Sequence, residues 1–577
     1  MHYPLVNKIV KEGGGLIKQF RVVLIKPSHY DDDGYVIQWR KSAVPSNTLA
    51  VLYGLCLDAT ARKVLGDDTE IVIDAWDETN RRIPVGKIIA SIKSAGSGFV
   101  GFAGVQSNQF PRTMDMARKF REAGIQVCIG GFHISGCLAM LPELPADIRE
   151  AQDLGISLFA GEAEEGRIDA VFRDAFAGAM QPMYNHLNSL PAIEEQPLPF
   201  LPAKMLERSM GSLTSFDAGR GCPFVCSFCT IINVQGRKSR RRSADDVEAI
   251  VRANVAQGIS GFFITDDNFA RNRDWEAIFD RIISLREKEG MKISLTIQVD
   301  TMSHKIRNFI DKAGRAGVRR AFIGLENINP DNLKSAGKKQ NKILEYRKLM
   351  QEWRRIGVIS YAGYIIGFST DTPERILADI EVIKRELPVD VMEFFNLTPL
   401  PGSADHKQML ERGEWMDPDM NKYDLNHVTT KHPLMSKAAW EGAYRKAWDA
   451  YYSPQHIETM MKRAVASGMS PGKLMFLSLW FYGCLKFERL HPLEGGILRR
   501  KHRLDRRPGM PIENPLIFYP RRLWEVAACH LGILGMIMIN GRARRRIKAD
   551  PDARNYSDIA LQPMTDHEQE SLEMLEK

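Results

Sequence analysis

Three cysteines on one short stretch constrain this chain more than any other feature. Gly221-Cys222-Pro223-Phe224-Val225-Cys226-Ser227-Phe228-Cys229 has the spacing C-x3-C-x2-C, on a loop that follows the apolar-leaning run Ser212 to Ala218. Three thiolates this close together can hold three irons of a four-iron, four-sulfur cluster, because such clusters are carried on cysteine thiolates. The fourth iron then has no protein ligand and stays open to a small molecule. A structural zinc site would want a fourth Cys or His at matched spacing, and the next cysteine is Cys484. Zinc is the weaker reading.

These residues resemble the signature of the radical S-adenosylmethionine (SAM) superfamily, with Phe228 in the aromatic place before the last cysteine. The resemblance implies that SAM chelates the open iron through its amino and carboxylate groups. Reduction of its sulfonium then yields a 5'-deoxyadenosyl radical that abstracts hydrogen. The cofactor carries that chemistry, and the protein supplies position and exclusion. A protein reductant such as flavodoxin or ferredoxin is implied as a partner. Composition agrees with a large intracellular enzyme. The 577 residues leave room for about three regions, and eight cysteines with three on one loop do not form a secreted disulfide framework. Met1 to Gly13 lacks the apolar core of a secretory signal, so the expected compartment is the cytosol.

Residues 20–180 alternate between strand and helix patterns. Strands are expected at Arg21 to Ile25, Glu70 to Asp74, Phe99 to Val105, Gln126 to Ile129 and Leu158 to Ala160, and helices at Thr48 to Arg62 and Met114 to Ala123. Such alternation implies an α/β fold with a parallel sheet, its ligand beyond the carboxyl ends of the strands. The segments Ile73-Asp74-Ala75, Phe102-Ala103-Gly104-Val105-Gln106, Ile129-Gly130-Gly131-Phe132-His133 and Ala160-Gly161-Glu162 resemble the Rossmann-like cobalamin-binding domain that precedes many radical SAM cores. Gly104, Gly130, Gly131 and Gly161 are then the cofactor candidates, since bare backbone lets a large flat ligand approach. The D-x-H-x-x-G motif that supplies a histidine to cobalt elsewhere is missing at Asp74-Ala75-Trp76-Asp77. His133 reads as a strand-end residue bonded to backbone.

Prolines 182, 191, 197, 199 and 202 mark a linker over 181–210. From 211 to 435 a strand-then-helix unit repeats six times, with strands at Ser212 to Asp217, Gly261 to Thr265, Ile293 to Gln298, Arg320 to Leu325, Ile359 to Ile365 and Val391 to Leu397. Six units match the partial (β/α)6 TIM-type barrel of the radical SAM core. The resemblance assigns Asp266, Asp267 and Asn268 to the SAM amino group. Gln298 and Glu326 fall to the ribose or methionine part, and the Gly363-to-Gly367 strand with Ile365 to the adenine. An arginine near Arg242 is expected to face the cofactor cleft.

Residues 436–577 read as a helical region. His427 and Tyr423, just before it, read as structural residues. Two stretches stand out there, Leu474 to Leu485 and Leu523 to Asn540. The second, at about 18 residues, reads as too short to span a bilayer. Residues 499–548 hold 13 Lys or Arg against three acids, although the whole chain is only +8. An apolar helix between arginine runs suits an anionic bilayer surface, so peripheral contact with the inner membrane face is expected, and nucleic acid is disfavoured. Together these readings point to cobalamin-dependent radical SAM methylation of an unactivated carbon on a hydrophobic, isoprenoid-like small molecule. The alternatives are a cobalamin-dependent cyclase or rearrangement enzyme acting on a tetrapyrrole-like substrate, and a non-catalytic cofactor-binding or membrane-scaffold protein.

Overall fold

In the computed structural model, residues 18–338, 341–563 and 565 are described. The expectation about Met1 to Gly13 lies outside them. Six parallel strands form the first sheet: β1 (Lys18–Lys26), β2 (Thr69–Asp77), β3 (Gly98–Phe102), β4 (Gln126–Gly130), β5 (Ser157–Ala160) and β6 (Met183–Asn185). Their hydrogen-bonded order is β2-β1-β3-β4-β5-β6. The strand alternation of β1 explains why both faces are covered. Phe20, Val22 and Leu24 enter one apolar cluster, while Val23 and Ile25 enter another on the opposite face. Helices α1 (Asn47–Ala61) and α2 (Arg167–Phe176) cover the first face. Ser46 caps α1 by accepting from the Leu49 N–H. The order reverses at β1, so the crevice beside β1 and β3 is where a ligand of this sheet belongs. The prolines misdirected one assignment: β6 lies in the stretch expected to be linker, because Met183 to Asn185 still complete the ladder on β5.

The second sheet is also parallel and runs in chain order: β7 (Leu213–Phe216), β8 (Gly261–Ile264), β9 (Ser294–Val299), β10 (Val318–Glu326), β11 (Ile359–Ile366) and β12 (Val391–Asn396). It matches the six expected strands and forms the partial barrel. Behind β12 lies helix α3 (Lys437–Tyr451), whose Trp448 meets Phe394 at 5.3 Å between ring centroids.

The helical carboxy-terminal region is more tightly woven in than its pattern implied. Gly496–Arg500 returns across the molecule to pair antiparallel with Gln38–Ser42. Helix α4 (Pro471–Glu488) buries Leu474, Leu477, Leu479 and Phe481, and Phe481 packs on Tyr361 of β11. Helix α5 (Pro515–Ala549) has 35 residues, about 52 Å at 1.5 Å per residue, which corrects the expectation of a segment too short to span. The arginine-rich flank continues the helix, and Pro520 falls close enough to its start to be carried inside it.

One buried ion cluster joins the two sheets. Arg220 donates to Glu162 at 2.6 Å, to Glu164 at 2.6 Å and to Asp217 at 3.0 Å. Glu162 and Glu164 follow β5, whereas Asp217 follows β7. Burial pushes the Glu164 and Asp217 carboxyls up, but Arg220 outweighs it and holds both below their ordinary range. Removing one partner of a buried cluster leaves uncompensated charge, at a cost of about 3–5 kcal/mol. Arg220→Met should therefore lower the stability read by chemical denaturation by about that amount. Arg220→Lys should recover only part of it, because an ammonium cannot serve three carboxylates from one planar fork.

Candidate functional site

The cysteine loop is shaped by the two aspartates that follow β8. Ala218 and Gly219 donate their backbone N–H groups to Asp266 Oδ1, each at 2.7 Å, and Gly221 donates to Asp267 Oδ2 at 2.9 Å. Asn272 adds a bond to Asp266 Oδ2 at 3.0 Å. Gly221 sits at φ +89°, and a Cβ there would lie 2.6 Å from the Lys238 carbonyl oxygen, so glycine is required where the chain turns into the motif. Burial raises Asp266 to about 7 and Asp267 to about 6 despite these bonds. The structure thus commits Asp266 to the cysteine loop's own backbone, with one oxygen of Asp267 beside it.

Cys226 is buried, and Cys222 and Cys229 are partly exposed. Burial pushes the Cys229 thiol up to about 12 and raises Cys222, so without a cation both would stay protonated at neutral pH. A metal cluster supplies that missing positive charge, which fits the donor set.

Above the loop, Glu326 ends β10 in the left-handed region at φ +63° and accepts from Lys338 at 2.7 Å. Non-glycine residues are held in that region only where the surroundings enforce it. The Lys338 Nζ also lies 5.9 Å from the Phe228 ring centroid; burial works against its charge, and the Glu326 carboxylate outweighs burial and raises its pKa. Lys338 was absent from the sequence reading. Its signal was a lysine pair beginning twelve residues after a strand-end glutamate. Asn268 donates to Asp300 at 2.9 Å, while its side-chain oxygen is buried without a partner among the described residues. Gln298 donates weakly to the Asp266 carbonyl at 3.4 Å. Ile365 packs with Ala336 and Phe368, against Phe228 and Phe395. Gln298, Glu326, Ile365 and the cysteine loop therefore gather at the carboxyl end of the barrel.

Gly104, Gly130, Gly131 and Gly161 gather at the other sheet. They rim an apolar slot of about 180 Å3 that runs between the sheet and α1 and α2, past Leu24, Val51, Phe99, Phe159, Ile168 and Val171. Gly131, at φ +147°, would place a Cβ 2.1 Å from the Val105 nitrogen. A second cavity of about 300 Å3 shares Asn47, Thr48, Phe132, Arg220 and Gln235 with the slot and reaches Thr265 and Asp267 under the cysteine loop. Gly219, Arg220, Thr230 and Ile231, on either side of the cysteine motif, line this shared space.

Four further residues of the sequence reading are held in structural contacts. Arg242 does not face the cleft: it is fully buried, donating to the Asp217 carbonyl at 3.0 Å and the Ile193 carbonyl at 3.1 Å, and so ties the linker to β7. Arg240, two residues earlier, is the one that reaches across to Glu162. His133 is held by side chains rather than backbone, Ser107 at 3.1 Å and Asp147 at 3.0 Å. His427 bridges Asp424 and Asp32, and Tyr423 donates to the Asp417 carbonyl, both structural ties.

Residues 218–383 match the family model described as the Radical SAM superfamily. A curated relative, bacteriochlorophyllide d C-12(1)-methyltransferase of Chlorobaculum tepidum, is 28% identical over 45% of this chain and 58% of its own length. The hopanoid C-2 methylase of Rhodopseudomonas palustris is 24% identical over 62% of this chain and 66% of its own length. The matched part thus spans less than two thirds of both relatives. Among solved structures, the cobalamin-dependent radical enzyme OxsB with aqua-cobalamin and SAM bound aligns over 96% of this chain and 83% of its own, at 13% identity and a TM-score of 0.52. That likeness establishes the fold: a Rossmann-like sheet, a partial (β/α)6 barrel and a helical carboxy-terminal region.

Replacing Cys222, Cys226 and Cys229 together by Ala should abolish iron–sulfur absorbance and 5'-deoxyadenosine formation in anaerobically reconstituted protein. Cys484→Ala and Cys529→Ala, at buried positions far along the chain, should leave both intact.

Proposed function

We propose that this protein is a cobalamin-dependent radical SAM methyltransferase that methylates an unactivated carbon of a hydrophobic, lipid-like substrate. One observation carries the reading: the glycine-rimmed slot adjoins a cavity lined by Gly219, Thr230 and Asp267, which flank or brace the cysteine loop, and Arg220 ties both walls of it together. The apolar slot suits the tail of a corrin, and the bare glycine rim suits its flat ring. Cys222, Cys226 and Cys229 would hold the cluster, with Gln298, Asn268, Glu326, Lys338 and Ile365 around SAM. When bound, these groups supply radical generation and a methyl carrier. The chain's own part is to hold both cofactors at a fixed separation and to keep the space between them closed to bulk water. The methylating relatives support the reaction class, and the hopanoid methylase among them supports a lipid substrate.

The surface of α5 supports work at a membrane from the cytosolic side. Leu523 and Trp524 are 72% and 71% exposed, and Leu531 and Leu534 are 64% and 50% exposed. By length and composition α5 is apolar enough to cross a membrane, with only 6% of its most apolar stretch buried. Its other face, with Phe518, Cys529, Asn540, Ala543 and Ile547, is packed on the protein. A helix bound along one side and apolar on the other fits a bilayer surface better than a span. Arg546 pairs with Glu458 and Arg544 lies against Gly472, which leaves Arg542 and Arg545 as exposed arginines beside the apolar face.

Reconstituted protein given cobalamin and methyl-labelled SAM should retain cobalamin and transfer label into an added hopanoid or isoprenoid lipid. Label that stays in SAM while 5'-deoxyadenosine accumulates would count against methylation. Separately, the protein should sediment with anionic vesicles at low salt and release at high salt. Arg542→Gln with Arg545→Gln should weaken that binding about thirty-fold, at about 1 kcal/mol per charge. Leu531→Gln with Leu534→Gln should weaken it at any salt without loss of SAM cleavage.

A further inference from the structure

Glu162, Glu164 and Asp217 each meet an arginine, but a second group of acids inside the protein meets none. Asp424 and Glu494 lie beside His29. A ring nitrogen of His29 and one carboxylate oxygen of each acid fall within 4.8 Å of one another. His29 and Asp424 are buried, and Glu494 is partly so. Three distant stretches supply them. His29 follows β1, Asp424 follows the turn Met420–Lys422 beyond β12, and Glu494 ends the turn Pro492–Glu494. The strand Gly496–Arg500 that comes next pairs with Gln38–Ser42, and so returns Glu494 to the chain that leaves β1. Among the described residues no lysine or arginine pairs with either acid; their ion-pair partners are His427 and His29.

Hydrogen bonds do not complete this group. His29 Nε2 lies 2.8 Å from Glu494 Oε1, whereas His29 Nδ1 and Glu494 Oε2 are buried with no partner among the described residues. If the ring is protonated, its Nδ1–H is a buried donor without an acceptor. If the ring is neutral with Nε2–H on Glu494, Nδ1 is a buried lone pair without a donor. Either state leaves an atom unsatisfied, at a cost that a bound cation removes. The carboxylates are also braced from behind. Asp424 accepts from His427 Nδ1 at 2.9 Å and from the backbone N–H groups of Asn426 and His427, and Asn108 donates to Glu494 at 3.1 Å. Outer partners of this kind fix the direction of ligating carboxylates. A way in exists as well, since His29, Asp424 and His427 line a cavity of about 290 Å3.

We propose that His29, Asp424 and Glu494 hold one divalent first-row metal ion, with its remaining positions open to this cavity. One imidazole and two carboxylates, with no thiolate among them, suit Mn2+ or Zn2+ rather than a soft metal. The two carboxylates match the charge of such an ion. Because the ligands come from the end of β1, the stretch after β12 and the carboxy-terminal region, the ion fastens these three parts to one another. The site uses none of the cluster cysteines and stands whether or not the methyltransferase reading does.

The test is titration of the full-length, cluster-loaded protein with Mn2+, following the free ion by electron paramagnetic resonance. Mn2+ is the probe because carboxylate and imidazole bind it while thiolates prefer softer metals, so the cysteine loop does not contribute. Wild type should take up one Mn2+ per chain, release it to added Zn2+, and show nitrogen modulation from the histidine in pulsed measurements. Saturating Mn2+ should also raise its thermal midpoint, because a ligand of the folded state stabilises it. His29→Gln and Glu494→Gln should each weaken binding at least about ten-fold and abolish the midpoint shift. His427→Gln, which keeps all three ligands and loses the brace on Asp424, should weaken it about ten-fold. Wild type that shows no saturable uptake of Mn2+ or Zn2+, or bound Mn2+ without nitrogen modulation, would overturn the site even if the variants fail to fold. Affinity within two-fold of wild type in folded His29→Gln or Glu494→Gln would overturn it too.

Discussion

The Arg220 guanidinium is the interaction on which the rest of the structure depends. It sits two residues before Cys222 and is held by carboxylates from both sheets, Glu162 and Glu164 on one side and Asp217 on the other. Arg240 and Arg242 complete the cluster, so three cations meet three anions and the buried charge balances. Desolvating six charges is costly, and such a cluster is stable only when every lone pair and proton is placed. The advantage is specificity of position: the cysteine loop cannot shift relative to the glycine rim without breaking several of these bonds. Two cofactors that must cooperate across a gap need that fixed separation more than they need extra stability.

The acidic residues around the site divide the work by depth. Asp266 and Asp267, beneath the loop, accept the backbone N–H groups that would otherwise be orphaned by its turn. Glu326 sits higher, strained at the end of β10, with Lys338 as its counter-ion. Glu393 lies deeper in the barrel and has no hydrogen-bond partner among the described residues. The same functional group therefore shapes the loop, faces the open cleft, or waits inside the barrel. Which of these it does is decided by the hydrogen-bond donors within reach rather than by its chemistry.

The carboxy-terminal helices show how one composition can serve two ends. Both α4 and α5 are rich in large apolar residues, yet Leu474 and Phe481 of α4 are 1% and 3% exposed, whereas Leu523 and Trp524 of α5 are more than two thirds exposed. Helix α4 fills space against β11, where Tyr361 receives Phe481. Helix α5 packs on α4, around Gly532 beside Phe487 and Gly483 beside Met536, and on the helix Pro454–Ala466, where Arg546 pairs with Glu458. Its remaining face has no partner among the described residues, and the basic residues around it are placed where headgroups would meet them.

Much of this was written in the sequence. The cysteine spacing, the six strand-and-helix units and the glycines ending β4 and β5 are local signals, because strand alternation and left-handed turns are set by residues adjacent in the chain. The helical character of the last quarter was equally plain. What the sequence could not provide were pairings between distant residues. That Arg220 would meet Glu162, that Lys338 would pair with Glu326, and that Gly496–Arg500 would return to Gln38–Ser42 are matters of tertiary geometry. The buried places of Arg242 and Glu393 have the same origin. A charged side chain's role depends on which groups surround it after folding, and those groups lie tens to hundreds of residues away.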